Sequence, residues 1–134
     1  QLSANPGKCV VASWHKPRVT MGQHTDALEM NYMWNKIVAR DGIVLAGHNH
    51  LYTRTRPLGL SAVPSSSGIT QFLVGTGGAG FYTALYSDTA REAKKIESEL
   101  GILKLTLQGN TYSYQFITTN NTVLDQGSDS LQCN

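Results

Sequence analysis

Two short apolar runs on either side of an amphipathic stretch constrain this chain more than any other feature. Residues 9–13 read CVVAS and residues 43–46 read IVLA. Compact, aliphatic runs of this length are the pattern of buried strands. Between them, residues 26–40 place Leu28, Met30, Trp34, Ile37 and Val38 near one face at helical spacing. Asp26 is the expected N-cap of that helix, with Glu29 three residues on, and Gly42 follows its end. Pro17 stops the first strand from continuing in a sheet interior, and a loop over residues 19–25, containing Gly22, leads into the helix. A strand, loop, helix and strand in this order form a βαβ-like unit, whose connection is long enough for the two strands to run parallel.

Parallel neighbours end on the same sheet edge, and open α/β sheets bind their ligands at the carboxyl edge. The first strand runs into Trp14-His15-Lys16-Pro17 and the second into Gly47-His48-Asn49-His50. All four histidines lie between positions 15 and 50. On an extended segment His48 and His50 would point the same way, and Gly47 would allow a sharp turn before them. Imidazole nitrogens suit zinc, iron, manganese and similar ions. A single histidine at a strand end is usually structural, and His-x-His alone is weak. The Gly-His-x-His sequence after an apolar strand, with His15 ending the neighbouring strand, makes His15, His48 and His50 candidate metal ligands. His24 lies in the loop between them, where it is either a solvent-exposed residue or a general acid. Near a dication, a histidine is suited to protonating a leaving oxygen close to neutral pH.

The second half has a different texture. Residues 63–68 are a loop of Pro, Ser and Gly, and residues 69–74 (ITQFLV) are an expected strand entering Gly75-Thr76-Gly77-Gly78-Ala79-Gly80. That segment matches G-x-G-x-x-G literally, but a dinucleotide fingerprint should open a helix. Phe81-Tyr82-Thr83 favours extended chain, so the glycines read as a turn that lets a strand pass close to the histidine loops. Residues 89–100 look helical, or like a charged surface excursion. Residues 102–107 (ILKLTL) and 111–118 (TYSYQFIT) alternate with period two around Gly109-Asn110, as an antiparallel hairpin does. Val123-Leu124 is expected to add a last short strand.

The chain has 134 residues, the size of one domain. With 40% hydrophobic and 15% charged residues it falls outside the disordered class. The net charge of +2, with no basic run longer than Lys94-Lys95, points away from a nucleic-acid surface. The apolar runs are about five residues long, against about 20 needed to cross a bilayer as a helix. The chain begins at Gln1 without a signal peptide, which reads as a processed or truncated start. Cys9 and Cys133 permit one long-loop disulfide, which in the chain-entropy model stabilises by about 4–5 kcal/mol. Two unrelated buried thiols are the alternative. The sequon Asn120-Asn121-Thr122 adds little, since such triplets arise often by chance. A surface rich in Ser, Thr, Asn and Gly and poor in Lys and Glu fits a secreted, extracellular or periplasmic protein.

At the histidine blocks the sequence resembles the calcineurin-like metallophosphoesterases, which include the purple acid phosphatases. The resemblance rests on Val10-Val11-Ala12-Ser13-Trp14-His15-Lys16-Pro17-Arg18, on Gly47-His48-Asn49-His50 with Leu51-Tyr52-Thr53-Arg54, and on the strand entering Gly75-Thr76-Gly77-Gly78. The ending, with ILKLTL, TYSYQFI, Asp125, Gly127 and Cys133, is similar to secreted bacterial members. Nearly the whole chain is covered, but only the carboxyl-terminal half of the family's domain. The resemblance implies an α/β fold of the α+β sandwich type: half of a four-layer metallophosphoesterase fold, with a βαβ unit followed by mostly antiparallel strands, over residues 1–134.

It also implies roles. His15 and His48 would bind one ion of a binuclear centre and His50 the other, the ions being drawn from Fe, Zn, Mn or Ca. His24 would be the acid or a phosphate contact. Asn49, Tyr52 and Arg54 would meet substrate at the rim. Lys16 stands where many relatives have a second histidine. The family's D-x-H, G-D and G-N-H blocks are absent from the sequence. The implied function is therefore phosphoric ester hydrolysis as part of a longer enzyme, completed by an amino-terminal half that carries the carboxylate and asparagine ligands. Alone, the chain is expected to be inactive. The alternative is a non-catalytic fragment or a metal-binding or structural module.

Overall fold

The computed structural model describes residues 2–133. Gln1, and with it the expected processed start, lies outside them. The two apolar runs form β1 (Val11–Ser13) and β2 (Ile43–Ala46), paired in parallel from Val11 opposite Ile43 to Ser13 opposite Leu45. The connection carries a 3-10 turn over Leu28–Met30 and then α1 (Asn31–Val38). Trp34 and Ile37 are buried, whereas Leu28, expected on the same face, is 68% exposed.

The helix is shorter than expected, and its start is not capped by Asp26. Met30 occupies the N-cap without a side-chain hydrogen bond. Asp26 is instead held in the fold: its carboxylate accepts from the Thr20 N–H at 2.9 Å and pairs with Arg91 at 2.6 Å and Arg18 at 3.7 Å. Two guanidinium partners outcompete a helix cap. At the other end the left-handed residue is Asp41 (φ 47°), not Gly42.

Three further strands extend the sheet: β3 (Tyr52–Thr55), β4 (Thr70–Val74) and β5 (Glu92–Ile96). The order is β1-β2-β4-β3-β5, with β4 parallel to β2 and with β3 antiparallel to both β4 and β5. The segment expected to be a helix or surface excursion thus contains a strand. Its sequence, EAKKI, has no apolar period, and its conformation is set by pairing with β3, where Tyr52 faces Ile96 and Thr53 faces Lys95.

The second sheet holds β6 (Gly101–Gln108), β7 (Thr111–Thr118) and β8 (Val123–Ser130), in that order and all antiparallel. The expected hairpin is present, with Gly109 in the left-handed region (φ 57°). The last strand is much longer than Val123-Leu124. Its polar run DQGSDS pairs along β7 as an edge strand, and edge strands need no apolar alternation.

Two apolar layers hold the elements together. Val19, Met21, Trp34, Ile37 and Val44 fill the space between α1 and the first sheet. Ile43, Tyr52, Phe72, Tyr112, Tyr114 and Phe116 fill the space between the sheets. The architecture is an α+β sandwich of helix, mixed sheet and antiparallel sheet. A disulfide joins Cys9 to Cys133 across 124 positions and ties the segment entering β1 to the segment leaving β8. Among the described residues no helix is long and apolar enough to cross a membrane.

Candidate functional site

The three parallel strands β1, β2 and β4 end on one edge. Their continuations bring together His15, the His48–His50 segment and the glycine segment 75–80. With His24 and Tyr82 they line an open cavity of about 440 Å³. Nε2 of His15 and Nδ1 of His48 lie 3.1 Å apart. The ring of His24 stacks on that of His48, with centroids 4.1 Å apart.

The His-x-His segment is not extended. His48 itself takes the left-handed conformation (φ 70°), so the turn falls on His48 and not on Gly47. The two rings therefore part company. His48 faces His15 and His24, and His50 stacks on Tyr82 with centroids 4.0 Å apart. The Nδ1 of His50 lies 2.7 Å from the Gly80 carbonyl oxygen. A carbonyl only accepts, so Nδ1 carries the proton and the Nε2 lone pair is left over. Tyr82, which also meets the His24 ring edge-on at 5.7 Å, was not evident from the sequence. The only hint there was an aromatic residue just after the glycine run.

Asn49, expected to meet substrate, has its side-chain amide engaged within the chain. It is fully buried. Its Oδ1 accepts the His24 backbone N–H at 3.0 Å, and its Nδ2 donates to Thr20 Oγ1 at 2.7 Å. Both ends of the amide are used to fasten the His24 loop to the His48–His50 turn. Two glycines make room for it. A Cβ on Gly22 would lie 2.4 Å from the Asn49 side chain, and one on Gly75 would lie 1.9 Å from the Asn49 carbonyl oxygen. The glycine turn is thus a close-approach device, as its sequence suggested, and no helix follows it. The rest of the His24 loop is also anchored. Gln71 Oε1 accepts from the Arg18 N–H at 2.9 Å, and the Tyr86 hydroxyl donates to the Thr20 carbonyl at 2.7 Å.

The structure places Tyr52 and Arg54, expected at the rim, beside Asp125 of the second sheet. Both lie on β3 and face the second sheet, away from the residues lining the histidine cavity. The Tyr52 hydroxyl donates to Asp125 at 2.8 Å, and Arg54 grips the same carboxylate with two bonds of 2.8 and 3.1 Å. Their task is to join the sheets. Burial, then the Asp125 hydrogen bond, pushes the Tyr52 phenol well above its ordinary range.

The histidine cavity holds four imidazoles. Partial burial, followed by the neighbouring His24 and His15, lowers the His48 pKa. Lys16 lies beside His15 in sequence and reaches Glu29 at 3.3 Å on the surface. None of the residues lining the cavity is an Asp or Glu. Two nitrogens on one zinc-like ion, each about 2.0–2.1 Å from it, sit roughly 3 Å apart. The His15–His48 spacing therefore suits a shared ion, and the free Nε2 of His50 suits a further donor. Yet among the described residues no group of three or more His, Cys, Asp or Glu is arranged to hold a metal ion. The residues fit part of a metal shell, and carboxylates are what the part lacks.

No family model matches the sequence, and none of the curated proteins matches it either. Among solved structures, the fold is similar to the purple acid phosphatase PPD1 from yellow lupin (Lupinus luteus) seeds. The TM-score is 0.75 over 91% of this chain, at 19% identity. The chain spans 25% of that protein's length. The comparison shows that this chain has a metallophosphoesterase-like fold.

Proposed function

We propose that this chain is the histidine-bearing part of a binuclear metal phosphoesterase. The observation that carries this reading is the meeting of His15 and His48 at 3.1 Å, beneath His24, on the carboxyl edge of three parallel strands. The likeness in fold to a purple acid phosphatase supports it.

In the complete enzyme His15 and His48 would hold one ion and His50 the other. Such ions supply Lewis acidity toward a phosphoryl oxygen and acidify a water. The chain's own residues then have separate tasks. His48 and His15 present nitrogens from two adjacent strands. The Gly80 carbonyl engages His50 Nδ1 and so leaves Nε2 as the ring nitrogen with a lone pair. His24, held by Asn49, gives a proton to the leaving oxygen. Carboxylates to balance the charge of the ions would come from a complementary half of the domain, and alone the chain would not turn over. Disulfide pairing of Cys9 with Cys133 agrees with an oxidising, extracytoplasmic setting.

A second reading, a metal-binding or structural module without catalysis, draws on the incomplete ligand set among the described residues. An aryl phosphate assay with added metal, paired with elemental analysis, separates the two. The first reading expects no turnover and fewer than two ions per isolated chain. It also expects turnover with two ions once the complementary half is present, abolished by His48→Ala. Two ions and robust turnover in the isolated chain would refute the incompleteness. No turnover in the completed assembly would favour the structural module.

A further inference from the structure

The connection from β4 to β5 spans residues 75–91 and forms neither helix nor strand. Connections longer than about 12–15 residues without secondary structure of their own are uncommon in compact domains, and they are usually functional or disordered. This one is tied down at both ends, and each tie is to a histidine segment. Its glycine end grips His50. The Gly80 carbonyl accepts from Nδ1, and the Tyr82 N–H donates to the His50 carbonyl at 3.0 Å. The Tyr82 ring lies over the imidazole, with 16° between the two planes.

The far end meets the loop that carries His24. The Leu85 N–H donates to the Met21 carbonyl at 3.0 Å, and the Tyr86 hydroxyl donates to the Thr20 carbonyl. Arg91 pairs with one oxygen of Asp26, and the other oxygen accepts from the Thr20 N–H. Leu85 is 68% exposed, so the tie at that residue is made by backbone and not by packing. Between the two ends stands Tyr82, which lines the histidine cavity. Its ring touches His50 by stacking and His24 edge-on.

We propose that residues 80–91 are a strap that sets the spacing between His24 and His50, with Tyr82 as the positioning residue where the two histidines meet. The proposal rests on the phosphoesterase reading, in which His24 would serve the leaving oxygen and His50 an ion. Two groups that act on one substrate need a fixed separation, because a misplacement of about 1 Å can cost about a hundredfold in rate. The chain between His24 and His50 runs through α1 and β2, so it gives the two side chains no local constraint. The strap supplies one from outside. On His50 its two contacts divide the work. A carbonyl partner fixes the tautomer of a ligating histidine, and the Tyr82 ring fixes the plane of the imidazole. On the His24 loop the backbone at Thr20 and Met21 is fastened, which leaves the His24 ring itself in the cavity.

The test reads geometry first, on the 134-residue chain with isotope-labelled histidine in metal-free buffer. At about pH 8, above the ordinary imidazole range, the long-range proton–nitrogen spectrum of the parent should show His50 as the Nδ1–H tautomer alone. Tyr82→Leu should relax His50 toward the tautomer mixture of a free imidazole. It should also speed exchange of the His24 amide by about tenfold or more, with the β2 amides unchanged. Tyr82→Phe, which keeps the ring, should match the parent in both readouts, and so should Phe81→Leu at the exposed neighbouring position. Arg91→Met frees only the far end, so it should speed His24 exchange and spare the His50 tautomer. An unchanged His50 tautomer or unchanged His24 exchange in Tyr82→Leu would overturn the proposal, as would Tyr82→Phe behaving like Tyr82→Leu. If Tyr82→Leu does not fold, Arg91→Met decides, and unchanged His24 exchange there would overturn it. In the completed enzyme Tyr82→Leu should lower kcat by about tenfold or more with little change in KM. The expected spectra without any phosphate ester turnover in the completed assembly would leave the strap standing and refute the phosphoesterase reading.

Discussion

The side chain of Asn49 accepts the backbone N–H of His24 at 3.0 Å, and this one bond couples two loops that reach the site from different strands. Asn49→Ala removes it and strips Thr20 Oγ1 of a donor as well. Leaving buried polar groups unpaired costs about 1–3 kcal/mol. We expect the variant to unfold at correspondingly lower urea and the His24 amide to exchange faster than those of β2. Asn49→Asp keeps the acceptor and should restore much of the protection at His24.

Gly75→Ala should be more damaging than its size suggests. The added Cβ would sit 1.9 Å from the Asn49 carbonyl oxygen, and backbone cannot yield as a flexible side chain can. Gly77→Ala, two residues on, meets nothing within 4 Å and is the matched control. Thermal melts should show a drop of several degrees for the first and little change for the second.

How far the sequence revealed the molecule depends on the range of the interactions involved. The runs CVVAS and IVLA announced the parallel pair, and their ends announced where His15 and His48 would meet, because local hydrophobicity and chain direction determine both. The role of Asp26 was hidden because Arg91, its main partner, is 65 residues away. The strand EAKKI carries no pattern of its own and takes its shape from β3. The inward turn of the Asn49 side chain was hidden because its partner Thr20 lies 29 residues earlier. Tyr52 and Arg54 followed the motif closely in sequence yet were claimed by Asp125, more than 70 residues on. The left-handed turn at His48, which sends the two histidines apart, has no glycine to advertise it.

Asp125 is the point where the two sheets are joined by charge, and its loss should be severe. Asp125→Ala would leave Arg54 half-buried without its counter-ion and the Tyr52 hydroxyl without an acceptor. Breaking a buried pair from one side costs about 3–5 kcal/mol. Urea titration should register that loss. Arg54→Met with Asp125→Leu, which removes both charges, should recover a substantial part of it.

Removing the disulfide should act mainly on the unfolded chain. Cys9 and Cys133 close a loop of 124 positions, and constraining a loop of that order contributes about 4–5 kcal/mol in the entropic account. The Cys9→Ala, Cys133→Ala double variant should lose about that much in urea titration. Reduction of the parent chain should match it, and the double variant should be indifferent to reductant.

The tyrosines of the inter-sheet core give the fold an alkaline limit. Burial raises the pKa values of Tyr52, Tyr112 and Tyr114, with Asp125 adding to the effect at Tyr52. The folded chain thus holds these protons more tightly than the unfolded chain, whose phenols release them near pH 10. Below that pH both states are protonated and the stabilisation is complete. Above it the unfolded state loses protons that the folded state keeps, so stability falls as pH rises toward the folded values. Urea midpoints should therefore be flat up to about pH 9 and drop beyond about pH 10. Phenolate absorbance should appear together with unfolding, not before it, for the buried rings. Tyr52→Phe should make the alkaline drop shallower, and a drop of unchanged slope would show that Tyr52 does not contribute to it.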